Sequence, residues 1–299
     1  MFFRRAANFD LVASEHGTDL VVTGDWSPAT AKALSRGKAD GLILNYARGY
    51  RERNLEFLQD WPLRRIRILA GTITDLAPVY RMAATLESIS VITAPRAPLN
   101  LARLPKLTHL GAEWEQVESS IEAGVGLRDL YLGSYNPRDL TPLAQSRQLR
   151  SISMKDRPYI ESLAGIDAFP LLEKLGIYLA RGLSDLSDLA SASAPRHLRE
   201  LQLESDRGIT RLDEIGTATN LEFLNISDLR DIESLAPLGN LKLLDTLYAY
   251  ETTRVADGDL TPLMRLPSLK DLRMMNRRSY SPSVGEVKAR LSSRVLPRE

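Results

Sequence analysis

Apolar residues recur along the chain in a Leu-x-x-Leu-x-Leu pattern, with Ile, Met, Val or Ala substituting at some positions. The first member falls at Leu63, Leu86, Leu107, Leu127, Leu149, Leu172, Leu198, Leu221, Leu244 and Leu269, giving steps of 23, 21, 20, 22, 23, 26, 23, 23 and 25 residues. Clear copies are Leu127-Arg-Asp-Leu130-Tyr-Leu132, Leu198-Arg-Glu-Leu201-Gln-Leu203 and Leu221-Glu-Phe-Leu224-Asn-Ile226, and Gly41-Leu42-Ile-Leu44-Asn45 is an earlier, degenerate one. The last two apolar residues of each copy stand two apart, the alternation of a strand with one buried face. A second apolar set follows at a spacing of three: Ile160, Leu163, Ile166; Leu183, Leu186, Leu189; Ile209, Leu212, Ile215; Ile232, Leu235, Leu238. Each set lies 11, 14 and 17 residues after its own first leucine. Period three over so short a stretch predicts a 3₁₀ or single-turn segment rather than a long α-helix. One such unit cannot bury its own apolar face, so successive units must stack into a solenoid.

An exposed terminal coil would present an apolar layer, so both ends need caps. At the N-terminus, Leu20-Val-Val-Thr23 reads as a strand, followed by Ser27 as N-cap, Pro28 as first helical residue, a helix to Ser35 and a stop at Gly37. At the C-terminus, Ser283-Val-Gly-Glu286 is a capping-box pattern that sets Val284, Val287 and Leu291 on one helical face.

The arrangement resembles the leucine-rich repeat (LRR) family, with the bacterial 22-residue internalin-like subtype as the nearest likeness. The residues that carry it are Leu76-Ala-Pro-Val79, Leu140-Thr-Pro-Leu143, Leu235-Ala-Pro-Leu238 and Leu260-Thr-Pro-Leu263, each in the outer segment of a coil. Proline fits the first helical turn, where its missing N–H would have no partner. The resemblance implies an α/β fold: a right-handed leucine-rich-repeat solenoid (horseshoe) with a parallel concave β-sheet, short 3₁₀ or helical convex segments and capped ends. Residues 1–39 would form the N-terminal cap, 40–277 a solenoid of about eleven coils, and 278–299 the C-terminal cap helix and tail. The family usually carries Asn at the ninth repeat position, where it bonds backbone between coils. Here that position holds Gly71, Ala94, Glu115, Tyr135, Arg157, Ala180, Asp206, Leu229, Thr252 and Arg277. Without the asparagine ladder, the turns are expected to be held by water or backbone bonds.

Composition narrows the function classes. Across 299 residues, 39 Lys and Arg face 38 Asp and Glu, which excludes a bulk-basic nucleic-acid binder. The absence of cysteine excludes disulfides, thiolate metal sites and a Cys nucleophile, and fits a reducing, cytoplasmic setting. No window of about 18 apolar residues is present, and the first ten residues lack an apolar signal core, so neither a membrane span nor a signal peptide is expected.

Catalytic patterns are also missing. His16, His109 and His197 do not have metal-ligand spacing, and Gly124-Val-Gly126 lacks the third glycine of a dinucleotide loop. Glu113 and Glu115 fall on one side of the chain rather than flanking a cleft. We expect no enzyme activity, no cofactor and no metal.

What remains is the outward face of the strands. Six of its positions are aromatic, Trp114, Tyr131, Tyr178, Phe223, Tyr248 and Tyr250, in a chain only 6% aromatic. Large rings with few rotors are effective interface anchors. Between His109 and Glu251 the same face carries Glu113, Asp129, Asp156, Glu200, Glu204, Asp228 and Glu251 against Lys155 and Lys174. An acidic face repels phosphate backbone and steers a basic protein. The sequence therefore reads as a non-catalytic protein-binding module, in its narrower form an inhibitor or immunity-type protein. The alternatives are a scaffold that self-associates and, more remotely, an unrecognised enzyme at the Glu113 edge. The coils from Leu172 and Leu244 are long, and their extra residues, Ala190–Pro195 and Glu251–Gly258, map to loops at one edge.

Overall fold

The computed structural model of the protein describes residues 8–93 and 96–295. The chain packs as two compact units that divide between Tyr131 and Leu132.

The first unit begins with an antiparallel hairpin of β1 (Phe9–Ser14) and β2 (Gly17–Val22). From β2 onward the strands run parallel in chain order: β3 (Gly41–Asn45), β4 (Arg65–Ala70), β5 (Ser88–Thr93) and β6 (His109–Glu113). Their registers place Leu20, Leu42, Ile66, Ile89 and Leu110 side by side, all buried. A slip of one residue would turn this whole row to solvent, so the leucine pattern itself specifies the register. Between β2 and β3 lies α1 (Pro28–Ser35), where the Ser27 hydroxyl accepts from the Thr30 amide and Ala33 and Leu34 are buried. That helix matches its sequence signals. The β1 strand had none, because most of its residues are exposed and show no alternation.

β7 (Asp129–Gly133) lies across the division. In the second unit, β8 (Ser151–Lys155), β9 (Lys174–Tyr178), β10 (Glu200–Glu204), β11 (Phe223–Asn225), β13 (Thr246–Ala249) and β15 (Asp271–Met274) are parallel neighbours in that order. β12 (Asp231–Ile232) and β14 (Arg254–Val255) form a separate parallel pair. Ile152, Leu175, Leu201, Leu224, Leu247 and Leu272 make the matching buried row.

The period-three residues behave as expected. All members of the four sets from Ile160 to Leu238 are buried, and 3₁₀ turns occur at Ile166–Ala168, Ser187–Ala190, Ile215–Thr217 and Ala236–Asn240. Each fully buried Leu or Ile contributes about 1.5–3 kcal/mol of transfer free energy. Pro78, Pro142, Pro237 and Pro262 all occupy the first turn of their segments. Two single-turn helices stand among the outer segments, α2 (Trp114–Val117) in the first unit and α3 (Thr261–Met264) in the second, and the longer helix α4 (Val284–Val295) ends the described residues. At the start of α4 the Ser283 amide donates to Glu286 Oε2 at 2.7 Å and the Glu286 amide to the Ser283 hydroxyl at 3.3 Å, the reciprocal pair its sequence predicted.

Two features run from coil to coil. In four places the residue after a first leucine forms an ion pair with its counterpart in the adjacent coil: Arg64 with Glu87 at 2.7 Å, Arg150 with Glu173 at 2.5 Å, Arg199 with Glu222 at 3.2 Å and Lys270 with Asp245 at 3.4 Å. Such exposed pairs are worth about 0–1 kcal/mol each and mainly reinforce register.

The second feature corrects the expectation that water or backbone alone would hold the turns. Asp206, at the ninth position of its coil, accepts the Ala180 amide of the preceding coil at 2.6 Å. Thr253 Oγ1 accepts the Leu229 amide at 3.0 Å and donates to the Ile226 carbonyl at 2.8 Å. In the first unit Gln116 Nε2 donates to Thr93 Oγ1 and to the Ala97 carbonyl, both at 3.0 Å. Buried backbone groups require partners, and three different side chains supply them at or one residue past the ninth position. Ala94, another ninth-position residue, lies outside the described residues.

Candidate functional site

In the second unit two outward strand positions and the residue just after β13 bring three rings together. Asn225 of β11 is paired with Tyr248 of β13, which puts Phe223 and Tyr248 on the same sheet face. Their centroids are 5.1 Å apart with planes at 77°, and Tyr250 extends the row at 6.4 Å and 71° from Tyr248. Edge-to-face contacts of this kind match the positive ring edge to the negative ring face. All three rings are half-buried. The Arg273 guanidinium lies 4.3 Å from the Tyr248 ring centroid, and the Tyr248 hydroxyl donates to Asp271 Oδ2 at 3.2 Å. A ring held from above and at its tip is set in one orientation before any ligand arrives.

Tyr178 sits on β9 of the same unit. Lys155 Nζ is 4.9 Å from its ring centroid. A Cβ at Gly176 would come within 2.9 Å of the Tyr178 ring, so the glycine leaves the room in which that ring lies. Burial, then the charges of Glu200, Glu204 and Asp206, raises the Tyr178 hydroxyl above its ordinary pKa and keeps it a hydrogen-bond donor.

The acids are less exposed as charges than their count implied. Glu200 pairs with Lys174 at 3.1 Å and accepts from Gln202. Glu204 accepts the Asn225 side-chain amide at 3.1 Å. Asp228 pairs with Arg207 at 3.0 Å and accepts from the Ser205 and Thr252 hydroxyls. Burial by itself would raise the Asp228 carboxyl, but hydrogen bonds from Thr252, Arg207 and Ser205 outweigh it and hold the group below its usual range. Asp228 and Glu251 are not strand residues. Both have left-handed backbone, φ 56° and 58°, in the turns that follow the strands. Asp156 has the same conformation, φ 61°.

In the first unit Trp114 corrects the expected outward row. It is 5% exposed and starts α2, because Glu113 leaves the strand as a helix N-cap and Gln116 closes the capping box. Glu113 and Glu115 stand on either side of Arg96, at 3.6 and 3.1 Å. Asp129 pairs with His109 at 3.0 Å, and Tyr131 remains 36% exposed. Arg96 and Arg207, which neutralise these acids, escaped the sequence reading. They lie in the turns, where the repeat imposes no pattern. Among the described residues no group of three or more His, Asp or Glu is arranged to hold a metal ion, and no helix is long and apolar enough to cross a membrane.

No protein-family model matches the sequence, and no curated protein matches it by sequence. Solved structures do resemble it. An internalin (inlF) from Listeria monocytogenes aligns at TM-score 0.55 with 18% identity, covering 79% of this chain and 68% of that one. The functional domain of InlJ from the same organism aligns at 0.52 with 18% identity, covering 79% of this chain and 47% of that one. A chain of the mouse RP105/MD-1 complex aligns at 0.54 with 18% identity, covering 79% and 41%. At that identity the likeness concerns the fold, and it agrees with the parallel strands, 3₁₀ turns and buried leucine rows found in both units. The chain is a leucine-rich-repeat solenoid whose structural neighbours include the internalins.

Proposed function

We propose that the protein is a non-catalytic module that binds a protein partner through the exposed sheet face of the second unit. The observation that carries this reading is the row Phe223, Tyr248 and Tyr250, half-buried, with its central ring Tyr248 held by Arg273 and Asp271. Pre-oriented aromatic side chains lose little entropy on binding and dominate interface energetics where they cluster. The solved complex of RP105 with MD-1 is a case in which a similar fold meets another protein. Tyr178, Glu200 and Glu204 lie on the neighbouring strands and would border the contact. Because Lys174 and Arg207 neutralise Glu200 and Asp228, aromatic area rather than net acidity sets the partner, and a basic partner is not required. An inhibitor or immunity-type role is the narrower form and entails one tight, stoichiometric partner.

The experiment is a native pull-down with mass spectrometry, comparing the wild type with Tyr248→Ala/Tyr250→Ala. One protein retained only by the wild type supports the reading, and identical retention by both baits refutes it.

A second reading, self-association, has its own observation. β1 pairs with β2 on one side only among the described residues, and Leu11 and Val12 on it are exposed. An open edge strand with apolar side chains is a template for another strand. Sedimentation of Val12→Lys against wild type tests it: a concentration-dependent dimer lost in the variant supports it, and a monomeric wild type ends it.

A further inference from the structure

The long coil from Leu244 builds a feature that the aromatic row does not use. Its extra residues form β14, which pairs Arg254 with Asp231 and Val255 with Ile232 of β12. The Arg254 amide donates to the Arg230 carbonyl at 2.7 Å and the Ala256 amide to the Ile232 carbonyl at 2.8 Å. This small sheet makes one wall of an open depression of about 760 Å³, lined by Arg207, Arg230, Asp231, Glu251, Arg254 and Arg277 among others. Four guanidiniums thus border one space.

Two of the four are neutralised. Arg207 pairs with Asp228 at 3.0 Å, and Arg254 holds Asp231 in a fork, Nε to Oδ1 at 2.8 Å and Nη2 to Oδ2. The other two make no ion-pair contact, although the charge of Arg277 also acts on Asp231. Among the described residues Arg230 has no carboxylate within ion-pair distance, and its side chain is exposed. Arg277 makes no ion pair either. Its Nη2 donates to the Glu251 carbonyl at 3.1 Å, and its Nε is buried without any partner. The Nε itself is closed to solvent, but Arg230 and Arg277 both line the depression, and the planar guanidinium fork matches the oxygens of a phosphate or carboxylate. Glu251 is the lining acid without an arginine partner, and it is exposed, so the four guanidiniums outnumber the two lining acids, Asp231 and Glu251. A carboxylate would neutralise one of the two free guanidiniums. A phosphomonoester, at about −1.5 to −2 charge and with three acceptor oxygens, suits both.

We propose that this depression is an oxyanion site that takes a phosphomonoester. One wall is the short parallel pair of β12 and β14, and Asp228 and Asp231 are already engaged by Arg207 and Arg254, which leaves Arg230 and Arg277 without an ion-pair partner among the described residues. The site is separate from the aromatic row and does not depend on its role.

Isothermal titration of the full chain with inorganic phosphate, with a short phosphoserine peptide and with the same peptide unphosphorylated tests the proposal. Saturable binding of phosphate or phosphopeptide, with none for the unphosphorylated peptide, is expected. It should weaken about tenfold in Arg230→Gln and further in Arg230→Gln/Arg277→Gln. Tighter binding of the phosphopeptide than of phosphate assigns the ligand to a protein segment, and equal binding assigns it to a small phosphorylated molecule. Arg230 is exposed, so Arg230→Gln decides the matter should substitution at Arg277 disturb the fold. No saturable binding of either phosphorylated probe, or binding unchanged in Arg230→Gln, overturns the proposal.

Discussion

Oδ1 of Asp206 accepts the Ala180 amide at 2.6 Å across 26 residues of chain, fastening one coil to the next. The other oxygen, Oδ2, is buried with no hydrogen-bond partner. An acid thus stands where a neutral amide would make the same bond without a charge to bury.

Burial, opposed by the Ala180 amide and reinforced by the charge of Glu204, pushes the Asp206 pKa up to about 8. In the unfolded chain the group titrates near about 4. Between those values the folded state holds a proton that the unfolded state has lost, so stability falls as pH rises from about 4 through about 8. Asp206→Asn is expected to remove this dependence and to stabilise the protein at pH 8.5 by an amount on the order of a few kcal/mol, with little gain at pH 4. Urea unfolding at the two pH values measures it. An equal change at both would contradict the assignment.

Gln116 satisfies three groups at once, donating to Thr93 Oγ1 and the Ala97 carbonyl and accepting the Glu113 amide at 3.2 Å. Gln116→Met keeps the volume and strands these partners, and should cost about 1–3 kcal/mol in chemical denaturation. Thr253→Val, which strands the Leu229 amide and Ile226 carbonyl, should cost a similar amount in the second unit. A change under about 0.5 kcal/mol in both, the range of ordinary surface substitutions, would show that these bonds do not hold the turns.

Gly165 has φ 89°, and a Cβ there would lie 2.9 Å from the Thr141 amide nitrogen. Gly165→Ala therefore meets both a left-handed backbone and a backbone clash. A loss of at least about 1–2 kcal/mol is expected from the conformation alone. An unchanged thermal midpoint would mean that the turn relaxes freely.

For the aromatic row, Tyr248→Phe removes only the bond to Asp271, whereas Tyr248→Ala removes the ring that Phe223, Tyr250 and Arg273 surround. Once the partner is in hand, Tyr248→Ala is expected to weaken binding by about 2 kcal/mol or more and Tyr248→Phe by less. Equal losses would place the energy in the hydroxyl rather than the ring, and no loss would remove Tyr248 from the contact.

Much of this architecture follows from periodicity. Spacing two between leucines and spacing three in the outer segments are local rules, and they placed the rows from Ile152 to Leu272, the 3₁₀ turns, the prolines of the first turns and both capped helices. Each is governed by contacts within a coil or with an identical neighbour, so a single repeat carries the information. The outward aromatics Phe223 and Tyr248 were legible for the same reason, because strand alternation assigns their face, and Tyr250 continues that alternation one residue past β13.

Charge pairing is of another kind. Arg207 meets Asp228, Arg96 meets Glu113 and Lys174 meets Glu200 because strand register and turn conformation bring together residues 17 to 26 positions apart. A count along the chain included Lys174 without showing which acid it meets, and it left out Arg96 and Arg207. Trp114 turned inward when Glu113 capped a helix instead of continuing a strand, its amide donating to the Gln116 side-chain oxygen. Asp206, Gln116 and Thr253 replaced a missing asparagine because the obligation belongs to buried backbone N–H and C=O groups, and any side chain of suitable reach can meet it. The repeat pattern therefore specifies the coil, whereas packing of one coil on the next selects which polar groups are satisfied, which charges cancel and which guanidiniums remain free.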